Sequence, residues 1–320
     1  MTTGNLAEPP QRSGIPAAYL GLVVIWSTTP LAMVVSLRDL DAVWALALRM
    51  LIAAVLAHGV LHLAGLRLAL GADALRRYAI GALSMYGAML FTYLGARQLP
   101  SGMIAIIFGF SPLLVGLLSW VAFRSVRFAP LQWLGLGMAV LGLAMIFLQG
   151  EKLSAIHTPS VLLLLAGVFC YAVSALWLKQ LPQALPPLMQ TTGALWLSAL
   201  AALLTVPLLA GPAPSHWPGL ASALALVYSA AIGSIVAMLC YFYLLQRIEV
   251  GTMALSTLIT PVFALLLGML FNHERFRPEI LWGMGMILLG LAAYYERELR
   301  RALLPFVGKG RRLVAVRVPE

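Results

Sequence analysis

Charge is what this sequence has least of. Only 10% of the 320 residues are Asp, Glu, Lys or Arg, where roughly 25% is usual for a soluble domain. Acids are scarcest, 11 against 21 basic residues, and none lies clearly within an apolar run; Glu249 and Glu279 stand at the ends of theirs. A buried carboxylate that alternates between proton and cationic substrate is therefore missing, which disfavours proton-coupled efflux of lipophilic cations. Cysteine is nearly absent too. Cys170 and Cys240 lie deep in apolar runs and read as small hydrophobes, with neither a disulfide framework nor a metal site indicated. No His-x-x-x-x-Asp, Gly-x-Ser-x-Gly or His-Glu-x-x-His pattern occurs, so the expectation is a protein that is not an enzyme and takes no cofactor. A basic n-region with a short apolar core is also lacking, so the first apolar run is expected to be retained as a helix.

What is abundant is apolar sequence: 62% of the residues, against roughly 45–50% in soluble proteins. A spanning helix takes about 20 mostly apolar residues. Breaks at Gly, Pro and charge clusters predict helices near 15–35, 43–64, 75–97, 101–123, 130–148, 158–179, 187–208, 217–246, 250–271 and 278–297. These runs are about twice the length of a barrel strand and do not alternate, so the expected fold class is all-α, a polytopic membrane protein with ten transmembrane helices. A formal charge of +10 would suggest nucleic acid in a soluble protein, but the basic residues sit in short connectors and in the tail after Arg297. That placement reads as topology, and no nucleic-acid partner is expected. Of the 21 basic residues only Arg38, Arg49, Arg97, Lys152, Arg275 and Arg277 fall toward the side opposite the termini, so both termini are expected in the cytoplasm.

The two halves repeat. Tyr78, Ser84, Tyr93, Leu94 and Arg97 match Tyr228, Ser234, Tyr243, Leu244 and Arg247 at one spacing. Gly102, Ala105, Pro112 and Trp133 match Gly251, Ala254, Pro261 and Trp282 after a one-residue shift, and Gly135, Gly137, Gly142 and Leu143 then match Gly283, Gly285, Gly290 and Leu291. Coincidence among Leu and Ala would not reproduce Pro, Trp, Tyr and Arg in order. The expected organisation is a cytoplasmic segment 1–14, a five-helix repeat over 15–148, a second over 158–297 and a basic cytoplasmic tail 298–320. A unit of five spans is odd, so the second copy enters from the opposite side and the repeats are inverted, the symmetry that alternating access needs. Inverted repeats also build pores, so a channel-like facilitator stays open beside a transporter.

With these features the chain resembles the EamA-type drug/metabolite transporter superfamily. The residues that carry the likeness are Trp26-Ser27-Thr28 in the first helix, Leu48-Arg49 in the second, and the Gly-to-Pro spacing of the fourth and ninth. The resemblance covers about residues 15–297 and implies an inner-membrane exporter or permease of small metabolites, with a central cavity walled by the first four helices of each repeat and the fifth and tenth at the periphery. Its aromatic-rich helices look like the YddG-type amino-acid exporters.

Candidate cavity residues follow from polarity within spans. Pro112 and Pro261 lack an N–H and push away the carbonyls of Phe108 and Thr257, which then need substrate, water or a hydroxyl as partner; Pro30 makes a similar break after Trp26. These three prolines are the expected kink or gating positions. At 100° per residue Tyr78, Tyr86 and Tyr93 fall within about 80° of one another, and Tyr228 and Tyr243 share a face on the eighth helix. Tyr78 beside Arg76 and Arg77 fits the interfacial belt equally, and Tyr19, Trp44, Trp217, Tyr294 and Tyr295 are expected in that belt. Arg49 is the one base inside a span, a candidate for a substrate carboxylate, for snorkelling outward or for helix packing. Hydroxyls at Ser27, Thr28, Ser84 and Thr257 complete a set without an acid. The expected substrate is a small neutral or zwitterionic metabolite, amino acids including aromatic ones. The basic tail could also meet anionic head groups, and the glycine pairs Gly135/Gly137 and Gly283/Gly285 are expected to pack within their own bundle, favouring a monomer.

The topology is testable by single-cysteine labelling of intact cells with an impermeant thiol reagent. Position 152 should label from outside and position 125 should not; labelling at 125 would overturn the arrangement.

Overall fold

The computed structural model describes residues 14–123, 128–152, 158–181, 185–248, 250–276, 278–297 and 299–300; the expectations for 1–13, the 124–127 connector and the tail beyond 300 lie outside them. Among the described residues the chain is helical throughout, with no strand. Seven helices are long and apolar enough to cross a membrane, and three further apolar helices are shorter over their described residues. In chain order they are α1 Gly14–Ser36, α2 Ala42–Leu63, α3 Ala72–Ala96, α4 Ser101–Val121, α5 Pro130–Lys152, α6 Thr158–Gln180, α7 Pro187–Leu209, α8 Leu220–Leu245, α9 Val250–Phe271 and α10 Pro278–Tyr294. Backbone N–H and C=O groups cannot be left unpaired in hydrocarbon, and helices satisfy them internally.

The packing follows a pseudo-two-fold. Repeat-equivalent helices face each other as α2 with α7, α4 with α9 and α5 with α10, and the main cross-pairs have their exchanged counterparts: α1 on α9 with α6 on α4, α1 on α8 with α6 on α3, α2 on α8 with α7 on α3. Direction comes from residue pairs. Gly135 lies on Gly290 while Gly142 lies on Gly283, Gly102 lies on Leu265 while Gly109 lies on Pro261, and Thr192 bonds the Ala57 carbonyl while Trp44 reaches Gly211. In all three pairs the numbers run oppositely, so equivalent helices are antiparallel and the second repeat is the first turned over.

Helices α5 and α10 contact chiefly one another, at the periphery. Their crossing uses Gly135, Gly142, Gly283 and Gly290, each with a backbone carbonyl of the partner helix where a Cβ would stand. Gly137 and Gly285 meet nothing, so the close approach is made by the glycines spaced seven apart rather than by the expected neighbours two apart. Tyr294 and Tyr295, placed by sequence in the interfacial belt, are instead buried, with Tyr294 edge-on to Phe128 and over Gly116.

Two features bend the α-helical register. Helix α3 contains a π-helical turn at Leu83–Gly87 and α8 one at Ser229–Val236, at overlapping positions of the two repeats. The matched prolines behave differently: α4 breaks at Phe110 into Ser101–Gly109 and Ser111–Phe123, whereas α9 runs unbroken through Pro261. Gly109 lets α4 meet that proline, since a Cβ there would stand 3.2 Å from its ring.

The basic end, with Arg76, Arg77, Lys179 and Arg247 at helix termini, also holds the start of α1, Gly14 lying beside the Tyr243 hydroxyl. At the opposite end polar bonds tie the repeats together. Arg38 donates to Asn272, Asp39 accepts from the Gly219 N–H (2.9 Å), and Glu274 accepts from the N–H groups of Ser101 (2.8 Å) and Gly102 (3.2 Å) at the start of α4. A carboxylate is favoured at that position by the helix dipole. Gly142→Val or Gly290→Val should wedge α5 from α10 and destabilise the protein by roughly 1–3 kcal/mol, while Gly137→Ala should be near neutral; thermal unfolding in detergent measures both.

Candidate functional site

Polar and aromatic side chains converge on a cavity between the repeats. The first repeat contributes Trp26, Thr29, Pro30 and Met33 from α1, Arg49 and Met50 from α2, Ser84, Met85, Met89 and Thr92 from α3, and Phe108 and Ser111 from α4. The second contributes Tyr171 from α6, Gly233, Ser234 and Met238 from α8, and Thr257, Thr260 and Pro261 from α9. Among the described residues no Asp or Glu lines it. Five of the lining residues are methionines, whose flexible, polarisable side chains adapt to differently shaped ligands.

Arg49 is the centre of the polar wall. Asp41 caps α2 by accepting from the Val43 N–H (2.9 Å), and two turns later Arg49 is only 3% exposed. Its Nε donates to Ser234 Oγ at 3.0 Å and its Nη1 to the Tyr93 hydroxyl at 3.4 Å, with the guanidinium carbon 5.8 Å from the Tyr93 ring centre. Nη2 lies beside Gly233, where a Cβ would approach it to 3.3 Å. Both ion pairs among the described residues lie elsewhere, Arg97 with Asp41 and Arg300 with Glu296. Arg49 therefore turns inward and holds only neutral partners; snorkelling is not what this side chain does.

The π turns set up that wall. Ser234 Oγ donates to the Ser229 carbonyl five residues earlier at 3.0 Å, which leaves its oxygen lone pairs for Arg49. In α3, Ser84 donates to the Gly81 carbonyl at 2.8 Å and lines the cavity from the equivalent position. Such turns are rare and occur often at functional sites.

Of the residues expected from sequence, the structure brings Trp26, Arg49, Ser84, Phe108, Thr257, Pro30 and Pro261 to the cavity wall. It does not bring the tyrosines there. Tyr78 is buried against Gly193, Tyr86 bonds Thr205 on α7, and Tyr93 is fully buried behind Arg49. Thr28 spends its proton on the Val24 and Ile25 carbonyls (both 3.0 Å), so Tyr228 donates to it. Tyr243 stacks under Arg247, 4.0 Å from ring centre to guanidinium carbon. Pro112 lies outside the lining, at the break in α4.

Sequence reading missed Tyr171 and Tyr241. Trp26 stands 6.4 Å from Tyr171 and 5.8 Å from Tyr241 between ring centres, Tyr171 and Tyr241 are 6.0 Å apart, and Phe108 meets Tyr171 at 6.4 Å. The available signal was depth, because Tyr171 falls mid-run, far from either interface where a belt tyrosine would sit.

Comparison with known proteins agrees with this architecture. The EamA-like transporter family matches residues 12–148 and again 158–295. The chain is 26% identical over 276 residues, 86% of its length and 88% of the relative's, to the Uncharacterized inner membrane transporter YedA of Escherichia coli (strain K12). It is 24% identical over 233 residues, 69% of this chain and 70% of the other, to the S-adenosylmethionine/S-adenosylhomocysteine transporter of Chlamydia trachomatis serovar L2. One solved crystal structure superposes with a TM-score of 0.63 at 19% identity, over 92% of this chain and 99% of that one. A duplicated helical unit matched twice along its length, in a chain built to span a membrane, is a member of the EamA-like transporter family.

Proposed function

We propose that this integral membrane protein exports small neutral or zwitterionic metabolites bearing a carboxylate, aromatic amino acids among them, across the inner membrane by alternating access with both termini in the cytoplasm. Family membership and the transporter relatives support transport rather than catalysis. The observation that carries the substrate reading is Arg49, a buried cation on the cavity wall with neutral partners alone. A resident acid would neutralise it, whereas a substrate carboxylate supplies the missing charge and a charge-assisted bond. Trp26, Phe108 and Tyr171 offer ring faces and edges for the apolar body. Thr29, Ser84, Thr257 and Thr260 provide hydroxyls for the ammonium group.

The Chlamydia relative's name adds a second reading. S-adenosyl compounds also join a ring to an amino-acid end, and the methionine-rich wall favours a ligand that needs adaptable packing.

Counterflow in proteoliposomes tests both. Arg49→Gln should weaken carboxylate substrates by about 1.5–3 kcal/mol, on the order of 10–100-fold, with Arg49→Lys intermediate. Trp26→Ala should weaken aromatic substrates more than small aliphatic ones, by roughly 0.5–1.5 kcal/mol. Vigorous transport of lipophilic cations that amino acids do not compete with would overturn the substrate class and leave the transporter assignment standing.

A further inference from the structure

A second cavity lies at the basic end, lined by Arg77 of α3, Leu178 and Lys179 at the end of α6, Gln190 of α7, and Phe242, Leu245 and Gln246 at the end of α8, with Leu181 and Leu185 at its edge. Its polar groups are incompletely satisfied. Arg77 is 8% exposed and its Nη2 is buried with no hydrogen-bond partner; Gln190 is 3% exposed and its Oε1 is likewise buried and unpartnered. The orientation of that amide is fixed, because Nε2 donates to the Arg77 carbonyl at 3.0 Å and a carbonyl can only accept. Gln246 donates to the Leu185 carbonyl at 3.1 Å. Asp73, one turn before Arg77, attracts it electrostatically without forming an ion pair, and no carboxylate among the described residues lines the cavity.

Arg77 and Gln190 line one pocket and each carries a buried polar atom without a partner, an unpaired donor of fixed positive charge and an unpaired acceptor that are unfavourable unless something fills them. The complementary ligand carries an oxyanion for Arg77 and an N–H or O–H donor for Gln190. A zwitterionic α-amino acid carries both on adjacent atoms, and the leucines and Phe242 give its side chain an apolar wall.

The position of the pocket gives this chemistry a role. Phe242 lines the second cavity, its ring centre is 5.3 Å from that of Tyr241, and Tyr241 packs on Tyr171, which lines the central one. A layer of aromatic rings thus runs between the walls of two pockets, each lined by a buried arginine that has no carboxylate partner among the described residues. We infer that the Arg77–Gln190 pocket is a loading site that captures a zwitterionic amino-acid substrate from the basic side before the aromatic layer opens to the Arg49 cavity. The inference rests on the proposed substrate class and adds a second binding site to it.

The test uses full-length protein in proteoliposomes of uniform orientation, with the concentration dependence of phenylalanine transport measured separately from each face. Arg77→Gln should raise KM about tenfold at the basic face alone, a loss matched to one charge-assisted bond, and leave KM at the other face unchanged. Gln190→Leu should act in the same direction, and Arg77→Lys should restore part of the loss. Arg49→Gln, by contrast, should weaken transport from both faces. Equal effects of Arg77→Gln at the two faces, or none at either, would overturn the loading site while wild-type phenylalanine transport still upheld the substrate class; absence of wild-type transport would sink the substrate class itself. Repeating the series with and without phosphatidylglycerol separates the remaining occupant. A face-specific effect that persists in phosphatidylcholine alone supports the amino-acid site, and one that requires phosphatidylglycerol assigns the pocket to a lipid head group and overturns it.

Discussion

A guanidinium held in the middle of a membrane protein constrains everything packed around it. Arg49 cannot lose its proton, and a charge in hydrocarbon is tolerated only against other polar groups. The sequence provides no acid within reach, so the partners are a serine, a tyrosine and a thioether drawn from α8 and α3. Each partner imposes a local structure. Ser234 can accept from Nε because its own proton goes to a carbonyl five residues back, which requires the π turn; a Cβ on Gly233 would crowd Nη2 and Thr29 Oγ1, each at 3.3 Å. Tyr93 is buried because its hydroxyl is committed to the same cation. One charge thus explains a backbone irregularity, a glycine and a buried phenol on two helices from different repeats.

This bond also shows where the inverted duplication stops being symmetrical. The scaffold obeys the pseudo-two-fold in its helix pairs and in its matched π turns. The contents of the cavity do not. A base stands on α2 with none at the corresponding depth of α7, and α4 breaks near its proline while α9 continues through its own. Symmetry of the scaffold suits two conformations related by exchange of the halves, whereas recognition of a polar, chiral metabolite needs an asymmetric lining. On the proposed substrate class the two requirements fall to different residues, glycines and small side chains at helix crossings for the first and Arg49, Trp26 and Phe108 for the second.

The same division decides what could be read in advance. Span positions and the duplication follow from hydropathy and from paired Pro, Trp and Tyr residues, signals that survive without tertiary context. Arg49 was legible because a base in an apolar run is rare on energetic grounds. The tyrosine face was not, because its phase was counted at 100° per residue through Leu83–Gly87, where the backbone makes a π turn and every later side chain is rotated. Nothing in Leu-Ser-Met-Tyr-Gly marks that turn. Tyr294 and Tyr295 misled for a different reason: nearness to a helix end suggests the belt, but the glycine crossing of α5 on α10 brings a neighbour close enough to bury them.

The two ends of the molecule are held by unlike interactions, and that difference bears on how each could open. Toward the basic end the barrier is aromatic, Tyr171 on Tyr241 on Phe242, held by ring packing that salt barely screens. At the opposite end the ties are polar: Arg38 to Asn272, Asp39 to Gly219, and Glu274 across the start of α4. These bonds join one repeat to the other, so a rocking motion that separates the repeats at that end must break them together and return their groups to water, where most of the bond energy is recovered. Opening the aromatic end instead exposes apolar surface, with nothing in water to replace the ring contacts. On the proposed substrate class, a ring entering from the Arg77 pocket would supply that replacement by packing on Phe242 and Tyr241 as they part. Aromatic amino acids would then favour opening of the same layer that separates them from the central cavity, which ties the chemistry of the substrate to the direction in which it is moved.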